Sequence, residues 1–180
     1  MDSELIFIDG EGIFLRPILK SDITDKYLGW LNDPNINQYS NRQAWPTTEE
    51  GLEKYIQITN TSNNLLLAIV EKQTGIHVGN ILLGPINWIH RNAKMSILLG
   101  KESAQRRGYA REAWQLLTKH AFEKLNLHRL EASTFHPAVE SILKGESWTL
   151  EGTFRQGFYR NGAYHDLKIF GIITDEFFSK

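Results

Sequence analysis

Apolar residues recur along this chain in two rhythms, and the switching between them outlines the fold. Short aliphatic runs bounded by turn formers read as strands, and stripes at i, i+3/i+4 and i+7 read as helices lying on a sheet. Ile13-Phe14-Leu15-Arg16-Pro17 is a first strand ended by its proline. Ser21 or Asp22 then caps a helix reaching about Leu31, with Tyr27, Leu28 and Leu31 inward, and Asn32-Asp33-Pro34 breaks it. A polar segment dotted with aromatics runs from Asn35 to Pro46. Thr47 or Thr48 caps a second helix striped by Leu52, Tyr55, Ile56 and Thr59. Three strands follow: Leu65 to Glu71, His77 to about Trp88 with Pro85 marking a bulge or an end, and Asn92 to Leu99. Ala110, Ala113, Trp114, Leu117, Ala121 and Leu125 stripe a long helix from about Tyr109 to Leu125. His128 to Thr134 alternates like a strand, and Val139 to about Glu146 is a short helix. Gly152 to Arg160 and Tyr164 to Ile173 close the chain as a hairpin about Asn161-Gly162. The order β-α-α-β-β-β-α-β-α-β-β predicts an α/β (α+β) domain spanning residues 1–180, with no repeat or linker to divide it.

Composition narrows the function. The chain has 180 residues and a net charge of −1, which gives no general attraction to nucleic acid or an anionic membrane. It has no cysteine, so disulfides, thiolate metal sites and an acyl-cysteine intermediate are excluded. Its six histidines show no metal-ligand spacing, and no metal is expected. The acidic start Met1-Asp2-Ser3-Glu4 does not resemble a signal peptide, and no run approaches the roughly 18 apolar residues of a membrane span. A cytoplasmic protein, monomer or homodimer, without nucleic-acid or membrane partners is the expectation.

The chemistry concentrates at Gln105-Arg106-Arg107-Gly108-Tyr109-Ala110, between the strand ending at Leu99 and the long helix. The first N–H groups of a helix lack internal partners and carry partial positive charge from the macrodipole. Gly108 lets a ligand approach the backbone, and Lys101, Arg106, Arg107 and Arg111 add cations. Such a turn seats a diphosphate, or else it is an ordinary β–α turn with a solvated basic rim. It lacks the Gly-Lys-Ser/Thr ending of a nucleoside-triphosphate loop and the Gly-x-Gly-x-x-Gly of a dinucleotide fold.

The hexapeptide resembles the Gln/Arg-x-x-Gly-x-Gly/Ala signature of GCN5-related N-acetyltransferases (GNAT), and the element order resembles that family over nearly the whole chain. The C-terminal third, with Thr149-Leu150-Glu151-Gly152 and Tyr159-x-Asn161-Gly162-x-Tyr164-x-Asp166, is similar to the branch that acetylates ribosomal-protein N-termini (RimJ/RimL-like). Trp30-Leu31-Asn32-Asp33-Pro34 resembles a segment shared with acetyltransferases of nucleotide-linked amino sugars. The resemblance implies a mixed, mostly antiparallel sheet of six to seven strands, splayed at its centre, with about four helices. It implies acetyl-CoA as donor and direct attack by a primary amine in a ternary complex. The acceptor is then a protein N-terminal α-amine, or alternatively a small-molecule or nucleotide-linked amino sugar. Two rivals stand beside it: an acyl-CoA-binding sensor without catalysis, and a nucleotide-phosphate module without acyl chemistry.

Roles carried over from the resemblance complete the expectation. The cofactor is held by Ile97, Leu98 and Leu99 through backbone groups, and by Gln105, Arg106, Arg107, Gly108, Tyr109, Ala110 and Arg111 at the diphosphate. A backbone N–H near Leu98 or Leu99 polarises the thioester carbonyl. Glu131, Glu151 and Asp166 are the candidate bases; Lys94 stands where the branch commonly has an acidic residue. His136 replaces the family's asparagine as a proton shuttle or pantetheine contact, or is a loop histidine before Pro137. Val139 replaces a frequent serine, which leaves Ser141 as candidate acid. Trp30, Asp33, Tyr39, Arg42 and Trp45 form an acceptor rim or pack against the sheet; Tyr159, Tyr164 and His165 line the acceptor cleft or pack within the hairpin.

Overall fold

The computed structural model describes residues 5–100 and 107–179. Its strands are β1 (Ile8–Asp9), β2 (Ile13–Pro17), β3 (Leu65–Glu71), β4 (His77–Asn87), β5 (Asn92–Leu99), β6 (Arg129–Thr134), β7 (Thr149–Arg160) and β8 (Ala163–Ile173). Its helices are α1 (Asp25–Asn32), α2 (Pro34–Asn37), α3 (Glu49–Thr59), α4 (Tyr109–Glu123), α5 (Pro137–Gly145) and α6 (Thr174–Phe178), with 3₁₀ turns at Lys20–Asp22 and Asn41–Ala44. The strands form one sheet in the order β1-β2-β3-β4-β5-β6-β8-β7.

Every neighbouring pair is antiparallel except β5 and β6, which run parallel and meet only at Asn92↔Arg129, Ala93↔Leu130 and Lys94↔Glu131. Beyond Lys94, β5 stays bonded to β4 as far as Leu99↔Gly79, while β6 follows β8 as far as Thr134↔Lys168. The sheet therefore opens into a wedge at its centre.

Each face carries helices placed by its apolar stripe. Ala113, Trp114, Leu117 and Ala121 of α4 are buried with Ile81, Leu83, Met95, Leu130 and Phe170. On the opposite face Leu52 of α3 joins Tyr27, Trp30 and Leu31 of α1, against which Leu98 packs. Thr48 caps α3 by accepting the Gly51 N–H at 3.1 Å, as expected of that position.

The structure corrects several boundaries. The cap of α1 is Thr24, whose hydroxyl accepts the Tyr27 N–H at 3.3 Å, not Ser21 or Asp22. Asp22 turns inward instead: its carboxylate takes both Arg16 Nη1 and Nη2, at 2.6 and 2.8 Å, and the Leu19 N–H at 2.7 Å. Trp30 is as deeply buried as its neighbour Leu31. Among the described residues the sheet has eight strands rather than six or seven, because the two-residue β1 adds to β2. That hairpin is tied to α4 through the Glu112 carboxylate, which accepts the Glu11 and Gly12 N–H groups at 2.5 and 3.0 Å. Among the described residues six helices replace the expected four, the short α2 and α6 being the additions.

Candidate active site

The wedge between β5 and β6 is a cleft of about 390 Å³. Ile97, Leu98 and Leu99 form one wall and Ala132, Ser133 and Thr134 the other. Ala110 and Trp114 of α4 and Val139 and Ile142 of α5 close the side beneath the sheet, and His136, just before α5, lines the cleft beside Tyr39. Tyr27, Tyr39, Arg42, Tyr55 and Asn80 close the opposite side. Because side chains alternate along a strand, Ser96 and Ser133 share a face with Lys94 and Glu131, which stand across from each other at the vertex.

At one end of the cleft, α4 begins on Gly108, whose φ of 81° and ψ of −3° are left-handed. Gly108 gives no side-chain cap, so the amides of Tyr109, Ala110 and Arg111 open the helix toward whatever sits before them. The arginines nearby are engaged by carboxylates. Arg107 Nη1 meets Glu71 Oε1 at 2.5 Å, and the Tyr109 hydroxyl donates to the same oxygen. Hydrogen bonds from Thr74 and then Tyr109, with the Arg107 charge, hold the Glu71 carboxyl below its ordinary range. Arg111 Nε meets Glu146 Oε1 at 2.6 Å. Gln105 and Arg106, and Lys101 expected beside them, lie outside the described residues.

His136 is the N-cap of α5. Its Nδ1 accepts the Ala138 N–H at 3.1 Å. Burial first, and the Arg160 charge second, push its imidazole below the ordinary histidine value. A neutral ring with Nδ1 accepting carries its proton on Nε2. The ring lies against Tyr39, centroids 4.0 Å apart.

The upper side of the cleft rests on a buried polar chain. His77 Nε2 lies 2.9 Å from the Gly79 carbonyl oxygen and 3.0 Å from Asn80 Oδ1. A ring nitrogen facing a carbonyl must carry the proton, so Nε2–H donates and Asn80 Oδ1 accepts. Asp22 lies 3.9 Å from His77 Nδ1 on the far side. Burial outweighs that carboxylate and keeps His77 below its ordinary value. Tyr27 is pushed up to about 12, burial being the main cause and the Arg42 charge the first opposing one.

The sequence-predicted residues divide sharply. Ile97, Leu98, Leu99, Ala110 and His136 line the cleft, as do Tyr39 and Arg42 of the rim. Glu131 does not; it pairs with Lys94 at 3.3 Å and lines a second hollow at the closed end. Glu151 is two strands away and held by both Arg129 guanidinium nitrogens; the Arg129 hydrogen bond keeps it below the ordinary carboxylate range. Ser141 is exposed on α5 and Asp166 accepts the Gln156 N–H at 2.9 Å in the hairpin. Both stand off the cleft wall. Asp33 caps α2 through the Asn35 N–H at 2.8 Å, and Trp45 is 79% exposed. Trp30 packs against His77, centroids 5.3 Å apart. Tyr159 and Tyr164 meet at a tilt with centroids 5.1 Å apart, and His165 stacks on Phe135 at 5.5 Å. Among the described residues, the cleft wall holds no carboxylate.

Asn80, Ser96, Ser133 and Tyr55 were not anticipated in the site. Asn80 carried a signal: it is the polar residue inside Val78-Gly79-Asn80-Ile81-Leu82-Leu83.

Comparison with known proteins agrees with this geometry. The model of the acetyltransferase (GNAT) domain matches residues 13–142. The chain is 25% identical over 151 residues to the spermidine N(1)-acetyltransferase of Vibrio cholerae, covering 83% of this chain and 86% of that one. A crystal structure of Vibrio cholerae spermidine N-acetyltransferase with CoA and spermine superposes with a TM-score of 0.83 at 22% identity, covering 94% of this chain and 99% of that one. RimL, a ribosomal L7/L12 α-N-protein acetyltransferase in complex with CoA, gives a TM-score of 0.82 at 21% identity, over 96% and 99% of the two chains.

Proposed function

The chain belongs to the GNAT acetyltransferase family, an acetyl-CoA-dependent N-acetyltransferase, and we propose that its acceptor is the primary amine of a compact molecule rather than a protein N-terminus. The observation behind this reading is the wedge itself. Strand pairing stops after Lys94↔Glu131, and the opening holds about 390 Å³ under three tyrosines, Tyr27, Tyr39 and Tyr55. A flat acidic groove would suit a basic peptide tail; this cleft is a recess rimmed by tyrosines and has no carboxylate on its described wall.

In this reading the diphosphate of acetyl-CoA meets the amides that open α4, and Gly108 leaves the approach open. The pantetheine arm lies along β5 as an added strand, using backbone groups that β6 leaves unpaired beyond Lys94. The amine enters from the tyrosine side and attacks the thioester carbonyl directly. Its nitrogen–carbon bond forms as the carbonyl oxygen takes negative charge, and a β5 amide stabilises that oxyanion, worth roughly 3–4 kcal/mol per donor in other enzymes. The carbon–sulfur bond then breaks, the attacking nitrogen gives its second proton to the departing sulfur, and CoA leaves as the thiol.

His136 keeps the two functions of an asparagine amide: Nδ1 caps α5 and Nε2–H remains to donate to the pantetheine or the departing sulfur. The ammonium proton leaves through water past Ser133 to Glu131, the carboxylate at the vertex. Ser141 has no part in this route.

Thiol release from acetyl-CoA across a panel of amines tests the activity. Release with at least one compact amine is the expected result; bound CoA with no release from any amine would make the protein a sensor. His136→Asn is expected to keep most of kcat. His136→Leu removes a cap worth about 1 kcal/mol and the Nε2–H donor, and is expected to lose kcat about tenfold. Ser141→Ala is expected to turn over like the parent. A parent-like kcat in His136→Leu would remove the imidazole from the reaction.

A further inference from the structure

The tyrosine side of the cleft carries two donor groups, the Asn80 amide and the Arg42 guanidinium, that no carboxylate among the described residues engages. Asn80 is 5% exposed and lines the cleft, and its Nδ2 faces the Tyr27 oxygen without reaching full hydrogen-bond geometry. The amide cannot be turned to avoid this, because the protonated His77 Nε2 fixes Oδ1 on its own side. A buried NH₂ without a full hydrogen bond is costly, and such groups are retained where a ligand satisfies them. Its orientation is held from behind by His77, Asp22 and the buried Arg16.

Arg42 is the second donor. The 3₁₀ turn at Asn41–Ala44, capped by Ser40 accepting the Arg42 N–H at 3.2 Å, points it into the same side of the cleft. Its guanidinium carbon lies 5.0 Å from the Tyr55 ring centroid, stacked rather than ion-paired. Among the described residues no carboxylate reaches it. By contrast Arg16, Arg107, Arg111 and Arg129 each have one.

Building on the N-acetyltransferase reading, we propose that Arg42 and Asn80 form an anion subsite, so that the acceptor is a small amine bearing a carboxylate or phosphate. A guanidinium fork matches either group with paired hydrogen bonds, and the Asn80 NH₂ supplies a further donor. The Tyr55 face holds the guanidinium plane in place before the ligand arrives. The same charge works against cationic acceptors: a polyamine would bring ammonium groups beside Arg42 with no described carboxylate on the wall to receive them.

Matched pairs test this on the intact protein saturated with CoA: phenylalanine against phenylalaninamide, and D-glucosamine 6-phosphate against D-glucosamine, with spermidine as the cationic probe. The first pair reads a carboxylate and the second a phosphate. Binding is followed by titration, and turnover by thiol release from acetyl-CoA. In at least one pair the anionic member is expected to bind about tenfold to a hundredfold more tightly than its neutral partner, the range for hydrogen bonds to a charged group. Spermidine is expected to bind least. Arg42→Gln is expected to abolish the difference while CoA affinity stays at the parent value, which also shows that the variant is folded. Equal binding within both pairs, preferred binding of spermidine, no binding of any probe, or an Arg42→Gln variant that keeps the preference would overturn the subsite. Anion-selective binding without thiol release upholds the subsite and overturns the transferase reading; thiol release without anion selectivity does the reverse.

Discussion

Replacing Gly108 with valine is expected to weaken CoA binding by about tenfold to a hundredfold. At a φ of 81° the position is left-handed, where a non-glycine residue costs of order 1–3 kcal/mol and a β-branched one lies at the upper end. A Cβ at Gly108 meets nothing within 4 Å, so the fold itself offers no collision. The penalty therefore falls on the backbone angles. Relaxing them re-aims the amides of Tyr109 and Ala110, the diphosphate contacts that we propose. Because 1.4 kcal/mol is a factor of ten in affinity, the strain and the lost contacts together give the stated range. Gly108→Ala should lose less, since alanine enters the left-handed region more readily than valine. Isothermal titration of CoA into the two variants and the parent measures this directly, and parent-like affinity in the valine variant would remove the loop from the cofactor site.

Asp22→Ala is expected to destabilise the protein by about 3–5 kcal/mol, the range for breaking a buried ion pair from one side. The side chains of Arg16 and Asp22 are 4% and 7% exposed, and their contacts are two-pronged at 2.6 and 2.8 Å. The same pair gives stability a pH dependence of defined sign. Burial alone would raise the Asp22 carboxyl. The Arg16 hydrogen bond, the Leu19 N–H and the charges of His77 and Arg16 outweigh it and hold it below its ordinary 3.8. A depressed folded value means that the unfolded chain binds more protons in the window below 3.8, so stability there rises with pH. The contribution is complete above that value and is lost as pH falls through the lower, folded one. Urea unfolding at pH 7 and at successively lower pH should show the gap between parent and Asp22→Ala narrowing on acidification. A gap that stays constant would mean that the carboxylate does not carry the stability. Since Asp22 stands behind His77 and Asn80, the variant should also bind the acceptor less well at neutral pH.

The strands and long helices were legible because each buries a continuous stripe, and the stripe is written in neighbouring residues. That reading supplies the strand, the glycine turn and the helix in succession; that Ile97–Leu99 and Ala110 wall a cofactor cleft comes from the resemblance to the GNAT family. What stayed hidden was set by partners far along the chain. The wedge depends on β5 and β6 pairing for three residues and no more, and nothing local to Lys94 or Glu131 says where pairing stops. Glu151 looked available as a base until Arg129 was brought across from β6, through β8, to hold it. Asp22 had the composition of a helix cap, and only burial of Arg16 six residues earlier drew it inward. The short β1 and α6 escaped because two and five residues carry no periodicity. Asn80 was the exception: a lone amide in an apolar strand was visible, and its chemistry follows once His77 is seen to be the donor beside it.

Central to the account is a coenzyme lodged where the two middle strands part, its phosphates on the start of α4. Backbone amide hydrogen exchange with and without saturating CoA tests that placement residue by residue. The account predicts slowed exchange at Leu99, Tyr109 and Ala110, with the paired Asn92 to Lys94 segment and the outer strand β7 unchanged. Protection confined to β7 or α3, with the amides of β5 and α4 exchanging as in the free protein, would contradict it.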